Sequence, residues 1–234
     1  MDSLKLDVVI PAAGVGSRMG AKVPKQYLML GTKTILERTL EIFLNSPLIN
    51  RVIVVISKDD EIFQTLEIDS PKLLIAYGGK DRADSVRSGL NQVTTDWVLV
   101  HDAARPLLTL EDLAILVVRG RESDCGAILA APVADTLKKS DGNGKIARTV
   151  VRKNVYRALT PQFFKTDLLV KALDEAAKEH AEITDEASAL EFLGYHPLLI
   201  EGRSDNIKIT NKADLRMAKA LVKLRERSNK FKAV

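Results

Sequence analysis

The chain has 234 residues, 46% of them apolar and 28% charged, with a formal charge of +4. Such a composition carries a sizeable core and excludes global disorder, and the length suits one large α/β domain. One cysteine, Cys125, excludes a disulfide framework within the chain, and no apolar run approaches the ~18 residues of a membrane span.

Residues 4–10, with Leu6, Val8, Val9 and Ile10, predict a buried strand. Behind it comes Pro11-Ala12-Ala13-Gly14-Val15-Gly16-Ser17-Arg18-Met19-Gly20, then Pro24-Lys25-Gln26, with no acidic residue from Val8 to Gln26. Glycines that let backbone N–H groups approach oxygens, together with Arg18 and Lys25, point to phosphate. Two familiar phosphate loops are excluded by counting. A Walker A loop starting at Gly14 or Gly16 places Met19 or Ala21 where glycine is required. The dinucleotide fingerprint fits Gly14 and Gly16 but again meets Met19 at its third glycine.

Further on, Leu36, Leu40, Phe43 and Leu44 predict a helix after Thr34. Residues 51–57 predict a strand covered on both faces, as in a parallel sheet. Residues 59–66 predict a short helix, 72–76 a strand, 82–93 a helix, 97–100 a strand, 110–122 a helix and 125–133 a strand. This alternation implies βαβ units and a mostly parallel, Rossmann-like sheet flanked by helices. Cys125 is expected in the core. At Asp135 the pattern breaks. Asp141-Gly142 and Asn143-Gly144 are turn signals, and residues 135–160 predict a β-hairpin arm protruding from a single domain. The apolar residues of its return limb, Val150, Val151, Val155 and Tyr156, suit packing on a second copy of the chain. Helices over 163–177 and 185–193, strands over 196–202 and 206–209, and a final helix opened by Asn211 and Asp214 complete the reading. The basic tail, 223–232, suits a solvated helix end.

In an open parallel sheet, ligands bind at the C-terminal ends of the strands. Gly78-Gly79-Lys80-Asp81-Arg82-Ala83-Asp84-Ser85 falls there, as does His101-Asp102-Ala103-Ala104-Arg105-Pro106. Asp102 at a strand end is a candidate Mg²⁺ ligand, since Mg²⁺ takes one or two carboxylates and completes its shell with phosphate and water. Asp205-Asn206-Ile207-Lys208 adds a second carboxylate and a cation. His101 reads as a hydrogen-bonded structural residue, and His180 and His196 lack metal spacing. The aromatics, six Phe, four Tyr and one Trp, are not interleaved with cations, so no nucleic-acid stacking platform is visible. An anionic small molecule accounts for the clustered cations. The N-terminus lacks a basic-then-apolar leader, and a soluble cytoplasmic protein is expected.

These motifs, with Ala131-Pro-Val-Ala-Asp-Thr136, Ala158-Leu-Thr160-Pro-Gln-Phe, Ile183-Thr184-Asp-Glu-Ala-Ser and Gly202-Arg-Ser-Asp205-Asn-Ile-Lys208, occur in an order that resembles the 2-C-methyl-D-erythritol 4-phosphate cytidylyltransferases. The ribitol 5-phosphate cytidylyltransferases are similar, but tend to open with Leu-Ala-Gly-Gly and to carry Ser-Val at Ala103-Ala104. The resemblance implies a Mg²⁺-dependent transfer of CMP from CTP to methylerythritol phosphate by a homodimer joined through the 135–160 arm. It implies that Arg18, Lys25, Lys208 and Arg152 are catalytic, and that Ala12, Ala13, Gly14, Gly16, Gly79, Arg82, Ser85 and Ala103 hold the nucleotide. Arg105, Thr160, Thr184 and Lys208 would contact the polyol phosphate, with Thr136 and Arg152 reaching the neighbouring subunit's substrate. Asp102 and Asp205 would hold the metal. Lys80 departs from the acidic residue of some relatives, which bears on its side chain and not on the backbone of Gly79. A non-catalytic nucleotide sensor is the alternative of another class.

Overall fold

The structure is a computed structural model and describes residues 5–14 and 23–232, the last five of these by backbone alone. In chain order its strands are β1 (Leu6–Pro11), β2 (Met29–Leu30), β3 (Lys33–Thr34), β4 (Ile49–Ile56), β5 (Leu73–Tyr77) and β6 (Trp97–Val100). Then come β7 (Gly126–Pro132), β8 (Leu137–Ser140), β9 (Ile146–Val150), β10 (Tyr156–Lys165) and β11 (Leu198–Glu201). Seven of them form one sheet in the order β11-β7-β10-β6-β1-β4-β5. β1 pairs in parallel with β4 and β6, β4 with β5, and β7 with β11, whereas β10 runs antiparallel to both β6 and β7.

Burial on both faces explains the apolar runs 8–10 of β1 and 52–56 of β4. On one face, Leu36, Leu40 and Phe43 of α1 (Ile35–Leu44) and Leu113, Leu116 and Val117 of α3 (Leu110–Gly120) join the larger core cluster. On the other face lie Val86 and Leu90 of α2 (Arg82–Leu90), Leu169 of α4 (Thr166–Lys178) and Leu190 of α5 (Glu186–Phe192). α6 (Lys212–Lys232) closes a third, smaller cluster with Ala218 and Val222 against Leu30, Ile35 and Leu107. Starts are set locally. Thr34 and Glu37 form a reciprocal capping box on α1, and the Asn211 side chain accepts from the N–H groups of Ala213 and Asp214 ahead of α6. At the β5 edge, Ser88 Oγ donates to Tyr77 O at 2.7 Å and Gln92 Nε2 to Ile75 O at 2.9 Å.

Four expectations are corrected. Residues 163–165 belong to β10, and the helix begins at Thr166. The reason is burial: Phe163 and Phe164 enter opposite core clusters, a period of two, and Phe163 stacks on Trp97 at 4.8 Å. Within 59–66 only Phe63–Thr65 turns, as a 3-10 element. Residues 206–209 are not a strand, because the Asn206 N–H is taken by Arg203 O and the Ile209 N–H by Ala104 O. Finally, the projecting hairpin is β8–β9, while β10, from Tyr156 onward, returns to the main sheet beside β7.

Candidate active site

The C-terminal ends of β1, β5 and β6 deliver three loops to one edge of the sheet, at the point where the chain continues on either side of β1. After β1, Ala12 is pinned from two sides. Its N–H donates to Val55 O, and its carbonyl accepts from Gln26 Nε2 at 2.7 Å. Gln26 is buried in a 3-10 turn, Lys25–Tyr27, that Tyr27 anchors by donating its hydroxyl to Asp60 at 2.6 Å. That turn carries Lys25 to the cavity. After β5, a Cβ added at Gly78 would lie 2.6 Å from Ala13 Cβ and 2.7 Å from Ser85 Oγ. Only glycine lets the three segments close up there. Asp81 caps α2 through Asp84 N, and Ser85 Oγ donates to Asp81 O.

Two cavities open on this edge. Ala12, Ala13, Gly14, Lys25, Gly79 and Ser85 line the first, with Ala103 behind them. Arg105, Thr160, Gln162, Thr184 and Asp185 line the second. Arg82, Asp102 and Lys208 line both and form the seam between them.

The seam is an ion cluster around a buried carboxylate. Asp102 is nearly enclosed and receives Arg82 Nε at 3.3 Å, Arg105 Nε at 3.2 Å and Lys208 Nζ at 3.0 Å. Burial alone would raise the Asp102 carboxyl, but Arg82, Lys208 and Arg105 outweigh it and hold the group well below the usual carboxylate range. Arg82 in turn grips Glu186 through both terminal nitrogens, and Glu186 is 1% exposed. Burial lowers the Arg82 guanidinium and the two carboxylates more than restore it, so its net shift is upward.

A bulge in β10 supplies the cluster's floor. Ala158 faces Ala130 and Gln162 faces Ile128, so β10 holds two more residues there than β7. Thr160 lies in that bulge. Its hydroxyl oxygen accepts from the Asp102 N–H at 3.1 Å and lies 2.9 Å from His101 Nδ1. The other ring nitrogen, Nε2, lies 3.0 Å from Arg105 O, which can only accept. The proton therefore sits on Nε2, and Thr160 donates to Nδ1. Burial of the ring pushes His101 down to about 4, so it is neutral at ordinary pH.

Several expected residues come together here: Ala12, Ala13, Gly14, Lys25, Gly79, Arg82, Ser85 and Ala103 at the first cavity, and Arg105, Thr160 and Thr184 at the second, with Lys208 at both. Gly16 and Arg18 lie outside the described residues. Thr136 and Arg152 are exposed at the root of the arm and line neither cavity. Asp205 lines neither cavity, because its carboxylate is taken by Arg203 at 2.7 Å and Arg225 at 3.2 Å. The bonds from Arg203 are the main cause of its lowered pKa. For a divalent cation, Asp102 can donate through Oδ1, which faces Arg82 alone and keeps one lone pair, whereas Oδ2 is taken by Arg105 and Lys208; a nucleotide's phosphates would supply the remaining ligands. Sequence reasoning assigned no role to Gln26, Gln162 or Glu186. Their residue types carry no signal until the fold shows what each one holds.

A Rossmann-like sheet with two cavities meeting at a cationic seam defines an α/β nucleotidyltransferase. The chain belongs to the 2-C-methyl-D-erythritol 4-phosphate cytidylyltransferase family, whose model matches residues 6–224. It is 49% identical over 219 residues to the protein of that name from Tolumonas auensis, covering 93% of this chain and 96% of the relative. The protein of that name from Salmonella arizonae is 51% identical over 223 residues, covering 93% and 94%. The crystal structure of the Francisella tularensis 2-C-methyl-D-erythritol 4-phosphate cytidylyltransferase superposes with a TM-score of 0.80 at 36% identity, over 92% of this chain and 98% of that one.

Proposed function

We propose that this chain transfers the CMP group of CTP to 2-C-methyl-D-erythritol 4-phosphate, giving 4-diphosphocytidyl-2-C-methyl-D-erythritol and pyrophosphate. One observation supports this above the others: two cavities share a wall made of Arg82, Asp102 and Lys208. A phosphate oxygen of the acceptor attacks the α-phosphorus, the new P–O bond forms, and the bond to the β-phosphate oxygen breaks with its electron pair leaving on pyrophosphate. The nucleophile is already ionised, so no general base is required. Both reactants are anions, and the main demand is for positive charge at the phosphorus. Lys208, at the seam, and Lys25, on the nucleotide side, meet it, with Arg18 the third such cation that the family resemblance implies. The Ala12–Gly14 backbone, Gly79 and Ser85 hold the nucleotide, while Arg105, Thr160 and Thr184 hold the acceptor.

Asp102 would hold Mg²⁺, which when bound neutralises triphosphate charge. Recruiting Asp205 requires Arg203 and Arg225 to release it. The enzyme acts as a homodimer through the arm, where Ile146 is 66% and Val151 78% exposed, and Thr136 and Arg152 serve the neighbouring subunit's acceptor site. No helix among the described residues is long and apolar enough to cross a membrane, in keeping with a cytoplasmic enzyme. Pyrophosphate release is measured with each of the four NTPs against methylerythritol phosphate and ribitol 5-phosphate. Release with CTP and methylerythritol phosphate alone is expected. Equal release with ribitol 5-phosphate removes the acceptor assignment, and CTP binding without any release removes the enzyme.

A further inference from the structure

We infer that Glu186 is a positioning residue, which fixes the Arg82 guanidinium across the seam and so ties the acceptor cavity to the nucleotide cavity; this rests on the assignment of the two cavities to acceptor and nucleotide. Arg82 spends three of its five N–H groups on carboxylates: Nη1 and Nη2 on Glu186 at 2.6 and 3.0 Å, and Nε on Asp102 at 3.3 Å. A guanidinium held this way is a brace between two anions more than a clamp for phosphate. The parallel fork sets its plane and direction, so the Nε–H is aimed at Asp102.

Glu186 is itself fixed from behind. Gln162, buried in β10, donates Nε2 to Asp185 Oδ2 at 2.8 Å and accepts from Ala187 N–H at 2.9 Å. The segment bolted down this way includes Asp185, a wall of the acceptor cavity. The linkage therefore runs from that wall through Glu186 and Arg82 to Asp102, and on to Lys208. Charge points the same way. Glu186 and Arg82 cancel as a pair, which leaves Asp102, Arg105 and Lys208 to present one net positive charge at the seam. With glutamine in place of Glu186, Arg82 is free to turn toward bound phosphate. Anions then still bind, but the Asp102–Lys208 geometry is lost.

The test uses the full chain as wild type, Glu186→Gln, Arg82→Gln and the double variant. CTP affinity is read by calorimetry without acceptor, and kcat and KM by pyrophosphate release. Each single variant is expected to lower kcat by about 10–100-fold, as loss of an orienting partner does elsewhere. CTP affinity should stay within about threefold or tighten in Glu186→Gln, and fall in Arg82→Gln, which leaves Glu186 an unpaired anion beside the nucleotide cavity; in kcat the double variant should match the worse single one, the mark of residues acting as a unit. Losses that multiply in the double variant, an unchanged kcat, or loss of CTP binding together with activity in Glu186→Gln would each overturn the proposal. Should Glu186→Gln not fold, Glu186→Asp keeps the charge and is expected to retain an intermediate kcat. An Nε–H resonance of Arg82 in arginine-labelled protein gives a readout independent of turnover. It should be protected from exchange in wild type and unprotected in Glu186→Gln, and equal protection in both refutes the brace. An enzyme inactive with every acceptor overturns the functional reading instead, and the resonance still decides the brace.

Discussion

Lys208 Nζ lies 3.0 Å from Asp102 Oδ2, so the cation proposed to act at phosphorus is held in place by a carboxylate that three positive groups surround. The two residues come from loops 106 positions apart in the chain, after β6 and after β11. Removing a transition-state cation costs about 10²–10³ in kcat. Lys208→Ala and Lys25→Ala are expected to show that loss in steady-state pyrophosphate release while keeping the wild-type circular dichroism. Asp102→Ala should behave differently, because it leaves Arg82, Arg105 and Lys208 facing one another. Breaking such a buried cluster costs about 3–5 kcal/mol, a Tm loss on the order of 10 °C for a chain this size. Added phosphate should recover more of that Tm in the variant than in wild type, as read by differential scanning calorimetry.

Gly78 tests the nucleotide side without touching a charge. An alanine there puts its Cβ within 2.7 Å of Ser85 Oγ and 2.6 Å of Ala13 Cβ. Overpacking of this kind costs about 1–3 kcal/mol. Part of it falls on the Ala13 backbone that faces the cavity, so Gly78→Ala is expected to weaken CTP binding by about tenfold or more. Titration calorimetry with CTP alone reads this directly.

His101 makes stability depend on pH. Its ordinary value is 6.5, and burial in the fold takes it down to about 4. Above pH 6.5 the ring is neutral folded or unfolded. As pH falls from 6.5 toward 4, the unfolded chain takes up a proton that the folded one excludes, so stability falls. Below that window both states bind the proton and the loss stops growing. The full effect is about 3 kcal/mol. Urea unfolding midpoints measured between pH 7 and pH 4 are expected to fall, and His101→Gln should flatten that slope.

The arm makes a prediction of its own. β8 and β9 pair only with each other, so deleting residues 138–146 leaves every hydrogen bond of the main sheet in place. The shortened chain should melt within a few degrees of wild type. Its mass by light scattering should fall to that of a monomer, or its KM for the acceptor should rise at least tenfold. A dimer with full acceptor affinity refutes both roles of the arm.

What the sequence revealed was local. β1, the capping box of Thr34 with Glu37 and the glycines after β5 each lie within a few residues of what they organise, and pattern reasoning reaches that far. The order of the motifs placed the cavity residues as well. Residues 156–165 were harder, because two adjacent phenylalanines suit a helix as readily as a strand until the sheet supplies a core on each side. Arg82 and Glu186 are 104 positions apart. Nothing in either local sequence marks the other as its partner, so the brace between the cavities is a property of the fold alone. Asp205 shows the converse: its motif was visible, but the arginines that claim its carboxylate were not.

At the β5 edge of the sheet, Ser88 and Gln92 donate to the carbonyls of Tyr77 and Ile75. A border strand with free acceptors is a template onto which any other extended chain can zip. Here Ser88 of α2 and Gln92, in the turn just past its end, occupy two successive outward acceptors. Ile75 and Tyr77 remain accessible to water, yet an incoming strand would have to displace both side-chain donors before its own amides could dock. The segment that opens α2 at the seam and runs on to Gln92 thus guards this border against fibrous growth and misdirected pairing during synthesis.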